Sequence, residues 1–260
     1  MALQSKIFIG WDVGGWNCDY NPKSRDALVI LDSERKIMGQ PWRGNLRSTI
    51  NESASTQDFV RNLLALCRIE ILKPEALKTT LAIDTPLGFS KPLIDLLTSD
   101  KTAPSIGLAS ENPYLHRQTE HFLFNMGLSP LSPIKDMIGS QATKGMHALR
   151  RFAPNQETCG VWTDGKMLHA IEAYPSACKR SHCVDELRTP FYEDLLVEDP
   201  VVRKFVSGLG HVDLQDALTC ALLGWLFEYE PDLLAQPLPE IDPVEGWIFV
   251  PKDGLRWAAD

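Results

Sequence analysis

Five acidic residues stand at the ends of predicted strands or at the start of a predicted helix. Asp12 and Asp84 end strands, Glu172 lies near the end of another, and Asp213 and Asp216 open a helix. Carboxylate oxygens are ligands that suit Mg²⁺ and Mn²⁺. Two such ions about 3.5–4 Å apart can hold both the attacking water and the leaving oxygen of a phosphodiester. This set of acids therefore predicts metal-dependent phosphodiester hydrolysis.

Taken singly, the same acids have plainer explanations. Asp12 precedes the pair Gly14 and Gly15, so it also fits an ordinary turn. Asp213 and Asp216 lie three residues apart, where acids favour the helix dipole, and Asp213 fits an N-cap. These acids form a site only if the fold brings them together.

The first half of the chain predicts the elements that carry Asp12 and Asp84. A short apolar run, Ile7–Ile9, has the pattern of a buried central strand. The elements predicted after it are strands over Ala27–Asp32 and Ile37–Trp42, a helix over Gln57–Ile71 capped by Ser55 or Thr56, and a strand over Thr80–Asp84.

The resulting order, β-β-β-α-β, is the opening of an RNase H-like α/β fold with a mixed sheet flanked by helices. In that topology the first and fourth strands are neighbours, so Asp12 and Asp84 meet at one edge of the sheet, where open α/β sheets place their sites. Two carboxylates at that edge repel unless a cation bridges them. The complete predicted order is β-β-β-α-β-α-β-α, in a single domain over residues 1–260.

Residues 85–155 hold no clear strand, and we expect a helical insertion or cap there. Two of its basic residues, Arg117 and Lys144, are candidates to bind substrate phosphates, and the plainer alternative is that they are solvated helix charges. In that alternative Glu120 is the helical partner of Arg117. The predicted helices cover Lys91–Leu97, Leu115–Phe124 and Asp136–Phe152.

The last third of the chain supplies the other three acids. The dipeptide Asp164-Gly165 predicts a hairpin whose second strand carries Glu172. The helix Asp213–Tyr229 has one apolar face, with its two acids away from that face. We also expect a small terminal hairpin. The predicted strands here are Thr158–Thr163, Lys166–Ala173, Trp247–Val250 and Leu255–Trp257.

The composition of the chain limits the kinds of molecule that we expect it to bind. The formal net charge is −8, which argues against a large non-specific duplex-binding surface but leaves room for a local basic groove or a metal-neutralised site. The six cysteines form no C-x-x-C pair, and Cys178, His182 and Cys183 lack standard zinc spacing. Without a signal peptide or a long apolar run, we expect a reduced, cytoplasmic protein with no membrane partner.

Four blocks of the chain resemble a widespread family of predicted RNase H-like nucleases that is catalogued as a domain of unknown function. The resemblance implies a nuclease with Mg²⁺ or Mn²⁺ held by Asp12, Asp84, Asp213 and Asp216, and a less defined catalytic role for Glu172. The last block is also similar to the acidic helix of Holliday-junction resolvases. The blocks are Gly10–Trp16, Ile83–Gly88, Glu172–Pro175 and Asp213–Leu218.

Two other functions stay open at this point. An ATP-dependent phosphotransferase of the actin and sugar-kinase type shares the superfold, but its second phosphate loop and adenosine motif are not visible. A non-catalytic binding module that kept the fold and an acidic pocket agrees with the acidic net charge. The sequence leaves the substrate open between DNA, RNA and a small nucleotide, and it specifies no protein partner.

Overall fold

A computed structural model describes residues 6–70, 77–196 and 207–256 of the chain. It is a mixed α/β structure in which helices flank an open sheet. The strands are β1 (Lys6–Asp12), β2 (Asp26–Asp32), β3 (Trp42–Gly44), β4 (Lys78–Asp84), β5 (Asn155–Thr158), β6 (Val161–Thr163), β7 (Leu168–Ala173) and β8 (Ile248–Phe249). The helices are α1 (Arg47–Glu52), α2 (Thr56–Leu66), α3 (Lys91–Ser99), α4 (Gln118–Asn125), α5 (Gly139–Phe152), α6 (His182–Leu196) and α7 (Val212–Tyr229).

The sheet has the strand order β3-β2-β1-β4-β7-β6-β5, and β8 pairs with β7 outside this path. The first three strands form an antiparallel meander. β4 lies parallel to both β1 and β7. The carboxyl ends of β1, β4 and β7 therefore meet at one edge of the sheet.

Side-chain alternation along β1 gives the sheet two distinct packing faces. Ile7, Ile9 and Trp11 belong to the apolar cluster formed with α2 and α5. Phe8 points the other way and packs in the cluster that includes Ala217 of α7. We call these two sides the α5 face and the α7 face.

The predicted third strand, Ile37–Trp42, is wrong in its position. Ile37 makes only an isolated bridge to Leu31, and β3 begins at Trp42. Gly39 has φ +64°, a left-handed conformation that no regular strand contains. Pro41 follows it and has no N–H to donate to a ladder. These two residues bend the chain out of the sheet.

The insertion contains α3, α4 and α5, in line with the predicted helices, but α5 begins at Gly139 rather than at Asp136. Met137 has φ +59°, which is incompatible with helix continuation toward its N-terminus. At the start of α2, Ser55 is the cap, because its side chain accepts the N–H of Asp58.

The predicted hairpin around Asp164-Gly165 joins β6 to β7. Its first strand is shorter than predicted, because Gly160 turns the chain with φ +78° and residues 155–158 form β5. The predicted terminal hairpin is wrong: Ile248 and Phe249 pair in parallel with β7, and a 3₁₀ turn follows at Lys252–Gly254. Trp257 lies outside the described residues.

Candidate functional site

Asp12 and Asp84 are direct register partners at the carboxyl ends of β1 and β4. The sheet therefore brings together the two acids that the sequence places at strand ends. On each strand the acid shares its face with the residues that lie two and four positions before it, including Phe8 on β1. Both carboxylates therefore belong to the α7 face.

Helix α7 crosses this face at very short range and places Asp216 near the strand ends. The close approach is possible because residue 10 is glycine. A Cβ atom at Gly10 would lie 1.8 Å from the carbonyl oxygen of Ala217. The first turns of α7 therefore pack directly on β1. The contact point on the strand is Gly10, two residues before Asp12.

Burial and mutual repulsion raise the pKa values of these carboxyl groups. Burial first, and then the charges of Asp216 and Glu172, raise the pKa of Asp84 to about 8. Burial, followed by the charge of Asp84 and those of the two α7 acids, raises the pKa of Asp12 well above its usual value. Burial also raises the pKa of Asp216, with the positive charge of Lys179 opposing the rise.

Asp12, Asp84 and Asp216 differ from the other acids of this region in their contacts. Within the described parts of the chain, Asp12, Asp84 and Asp216 make no side-chain hydrogen bond and no ion pair. The three carboxylates are partly exposed and stand beside like charges, an arrangement that favours binding of a proton or a cation. These acids are therefore available to a positive ligand.

Asp213, predicted as a fourth metal ligand, is engaged elsewhere. Its Oδ2 accepts hydrogen bonds from Nε of Arg43 at 2.7 Å and from the backbone N–H of Arg25 at 3.0 Å. Asp213 is not the N-cap either: His211 holds that position, and its Nδ1 accepts the N–H of Asp213. Asp213 still contributes negative charge near Asp12, but its partners are internal.

Glu172 also has a structural partner. It pairs in register with Ile83 rather than with Asp84, so strand alternation directs it toward the α5 face. There the guanidinium of Arg117 donates two hydrogen bonds to its carboxylate, at 2.6 and 2.8 Å, and the N–H of Leu87 donates a third at 2.8 Å. Arg117 also donates through Nε to Glu120 at 2.9 Å.

Neither predicted phosphate-binding cation is exposed. Arg117 is 1% exposed and Lys144 is 0% exposed. The ammonium group of Lys144 is in ion-pair contact with Asp26 and donates to the carbonyl oxygens of Gly14 and Gly15, each at 3.3 Å. Both the substrate role and the solvated-charge alternative require exposure, so these two cations act inside the protein.

Asp26 is a residue that the sequence analysis missed. Its carboxylate accepts hydrogen bonds from Nε1 of Trp11 at 3.0 Å and from the N–H of Gly14 at 2.9 Å, on either side of Asp12. Burial raises its pKa, and the charge of Lys144 opposes that rise. The signal in the sequence was an acid immediately before a fully apolar strand, but its partner lies 118 positions away.

Helix α5 also holds the loop after Asp12 through two hydroxyl groups. The N–H of Trp16 donates to Oγ of Ser140 at 2.9 Å, and its Nε1 donates to Oγ1 of Thr143 at 3.1 Å. Together with Lys144, these contacts join the insertion to the segment that follows the first acid.

A cavity of about 240 Å³ opens at this edge of the sheet. Its lining includes the three strand-end acids Asp12, Asp84 and Glu172. Residues of the insertion also line it, among them Leu131, Ile138 and Gln141. None of the described residues that line it is Lys, Arg or His. Thr85 lines it too, and its buried hydroxyl group has no hydrogen-bond partner among the residues that the structure describes.

The residues present fit a hydrated divalent cation. Within the described ranges, no three His, Cys, Asp or Glu side chains are grouped as a ready set of metal ligands, and this includes the cluster Cys178, His182 and Cys183. Mg²⁺, however, commonly binds through one or two carboxylates and keeps several waters. The adjacent pair Asp12 and Asp84 offers such a site, and the orphaned hydroxyl of Thr85 lies next to it in the chain.

Comparisons of the chain with protein families, with curated proteins and with solved structures give no match. Among the helices in the described ranges, none combines the length and the apolar character needed to cross a bilayer.

Proposed function

We propose that this chain is a metal-dependent phosphodiester hydrolase with an RNase H-like fold, acting on a nucleic acid or a nucleotide. The observation that carries the proposal is the register pair Asp12–Asp84 at the carboxyl ends of two parallel central strands. The raised pKa of Asp84, to about 8, supports it, because carboxyl groups this perturbed cluster at functional sites.

In this proposal Asp12 and Asp84 hold Mg²⁺ or Mn²⁺, and Asp216 approaches it from α7. When bound, the cation supplies Lewis-acid stabilisation of the phosphodiester and activation of water. The carboxylates position the cation and balance its charge. Asp213, Glu172, Arg117 and Lys144 have supporting roles, because each is held in an internal ion pair.

The proposal is tested by thermal unfolding with and without Mn²⁺, followed by hydrolysis of bis(p-nitrophenyl) phosphate. At a hundred times its dissociation constant, Mn²⁺ stabilises by about 2.7 kcal/mol, which raises the midpoint of wild type by about 5 °C or more. In Asp12→Asn and Asp84→Asn we expect both this shift and the hydrolysis to be lost.

A matched control is Asp32→Asn. Asp32 also ends a strand, but β2 is antiparallel to β1, so this acid lies at the opposite edge and caps a turn through the N–H groups of Glu34 and Lys36. Asp32→Asn keeps the Mn²⁺ response of wild type. Hydrolysis that survives in Asp12→Asn or Asp84→Asn contradicts the proposal, and a chain that binds Mn²⁺ without hydrolysis is instead a binding module.

A further inference from the structure

Two hydroxyl groups associated with β4 are buried without a hydrogen-bond partner among the described residues. Oγ1 of Thr79 lies near the start of the strand, and Oγ1 of Thr85 follows its last residue. Thr79 is 2% exposed and Thr85 is 5% exposed. Since buried hydroxyl groups almost always have partners, each of these needs a specific reason.

The surroundings of Thr85 give a reason for its unpaired hydroxyl group among the described residues. On the α5 side its γ-methyl group packs at Gly145, where a Cβ atom would lie only 2.5 Å from that methyl carbon. The hydroxyl is on the other branch of the side chain, and Thr85 lines the same cavity as Asp84. Thr79 lines a separate cavity at the opposite edge of the sheet, with Lys78 and Lys166.

The chemistry of the cavity limits what this hydroxyl can bind. Besides the acids, the polar groups at hand are hydroxyl and amide side chains, including Ser24, Gln141 and Ser176, and the described lining contains no basic residue. An anion enters such a cavity only when a cation balances its charge. A neutral hydroxyl then serves as a hydrogen-bond donor to an oxygen of that anion.

We propose that the Thr85 hydroxyl donates a hydrogen bond to a phosphate oxygen of a nucleotide-sized ligand that binds beside Asp84 together with a divalent cation. This inference rests on the proposed function for the identity of the ligand. It makes Thr85 a substrate-contacting residue and leaves cation binding itself to the carboxylates.

The test compares wild type with Thr85→Val, Thr85→Ser and the matched control Thr79→Val. In the absence of ligand, both valine variants unfold at a temperature equal to that of wild type or a few degrees higher, because each removes a buried hydroxyl without a partner. This result shows that the variants are folded before any ligand is added.

The second measurement uses Mn²⁺ alone and Mn²⁺ with thymidine monophosphate as probes. Mn²⁺ alone raises the midpoint equally in all four proteins. Calorimetry in excess Mn²⁺ then gives binding of thymidine monophosphate that is about tenfold or more weaker in Thr85→Val, as expected for a lost hydrogen bond to a charged group, and unchanged in Thr79→Val. Thr85→Ser, which keeps the hydroxyl, stays within a few-fold of wild type.

The outcomes separate this inference from the proposed function. Equal nucleotide binding in Thr85→Val and Thr79→Val overturns the role of Thr85 even if the enzyme hydrolyses phosphodiesters. Loss of the response to Mn²⁺ alone in Thr85→Val also overturns it, because the hydroxyl then serves the cation. Selective loss of nucleotide binding in a protein without hydrolysis keeps the inference and removes the proposed function. A wild type that binds no thymidine monophosphate overturns the inference, and hydrolysis of bis(p-nitrophenyl) phosphate then decides the proposed function separately.

Discussion

At one edge of the sheet, the acids on the two faces have different neighbours. On the α5 face, Asp26 is neutralised by Lys144 and Glu172 by Arg117, and all four side chains are almost completely buried. On the α7 face, Asp12 and Asp84 meet another acid, Asp216, and no cation among the described residues forms an ion pair with any of the three. The comparison teaches that burial and residue type alone do not identify a site, because the distinguishing feature is an acid without a cation.

The ion pairs also explain how the unpaired acids stay in place. Asp26 and Lys144 bind the backbone of Gly14 and Gly15, just after Asp12, and Glu172 accepts the N–H of Leu87, three residues after Asp84. The segment that follows each strand-end acid is therefore held by contacts from the α5 face. The insertion supplies both cations, since Arg117 and Lys144 belong to the predicted insertion, residues 85–155.

The largest expected effect comes from breaking an ion pair on the α5 face. Lys144→Met leaves the buried carboxylate of Asp26 unpaired, and we expect the free energy of unfolding to fall by about 3–5 kcal/mol. Urea denaturation measures the loss. Arg150→Met, an exposed cation on the same helix, changes the same quantity by about 0.5 kcal/mol or less.

A double variant sharpens this prediction. Asp26→Asn combined with Lys144→Met removes both charges, so part of the stability lost in Lys144→Met returns. If the double variant is as unstable as the sum of the two single variants, the loss arises from packing rather than from an unpaired charge.

The second effect is on the α7 face and depends on pH. The pKa of Asp84 is about 8 in the folded chain and about 3.9 when unfolded, so the folded state holds a proton that the unfolded state has lost between these values. The free energy of unfolding therefore falls as pH rises from about 4 to about 8 and levels off above that.

Asp84→Asn removes the contribution of this carboxyl group. Relative to wild type, the variant gains at least about 1.4 kcal/mol of stability, the equivalent of one pKa unit, between pH 5 and pH 8.5. Chemical denaturation at several pH values follows both proteins. Parallel stability curves would show that Asp84 is ionised in the folded chain throughout this range.

The smallest expected effect distinguishes the two acids of α7. Asp213→Asn loses the charge that pairs with Arg43, and we expect it to lower the free energy of unfolding by about 1 kcal/mol, since Asn still accepts hydrogen bonds. Its Mn²⁺ response remains. Asp216→Asn leaves stability unchanged or slightly raised and weakens the Mn²⁺ response. The reverse pattern would assign the cation to Asp213.

The sequence predicted the strand-end acids because local pattern was sufficient for them. An apolar run that stops at an acid locates the end of a strand, and the order of elements predicts which strands are adjacent, as the pair Asp12 and Asp84 confirms. The same reasoning placed Glu172 near a strand end but did not specify which face of the sheet it occupies. A difference of one position in the register of β7 reverses the direction of a side chain, and periodicity does not specify that register.

The buried ion pairs of Lys144 and Arg117 could not be predicted from the sequence, for a different reason. Lys144 and Arg117 lie in helical segments whose local sequence fits exposed basic residues equally well. Their burial follows from acids 118 and 55 positions away, and a single sequence contains no signal that links them. The same holds for Asp213, whose partner Arg43 lies 170 positions before it.

The glycine at position 10 restricts which sequences can adopt this fold. Helix α7 approaches β1 until the carbonyl of Ala217 occupies the volume that a methyl group at Gly10 would need. Even alanine there would lift the start of α7 from the sheet and carry Asp216 away from the strand ends. The spacing of the three acids is therefore set by a residue that has no functional group, and a search restricted to chemically reactive positions would overlook it.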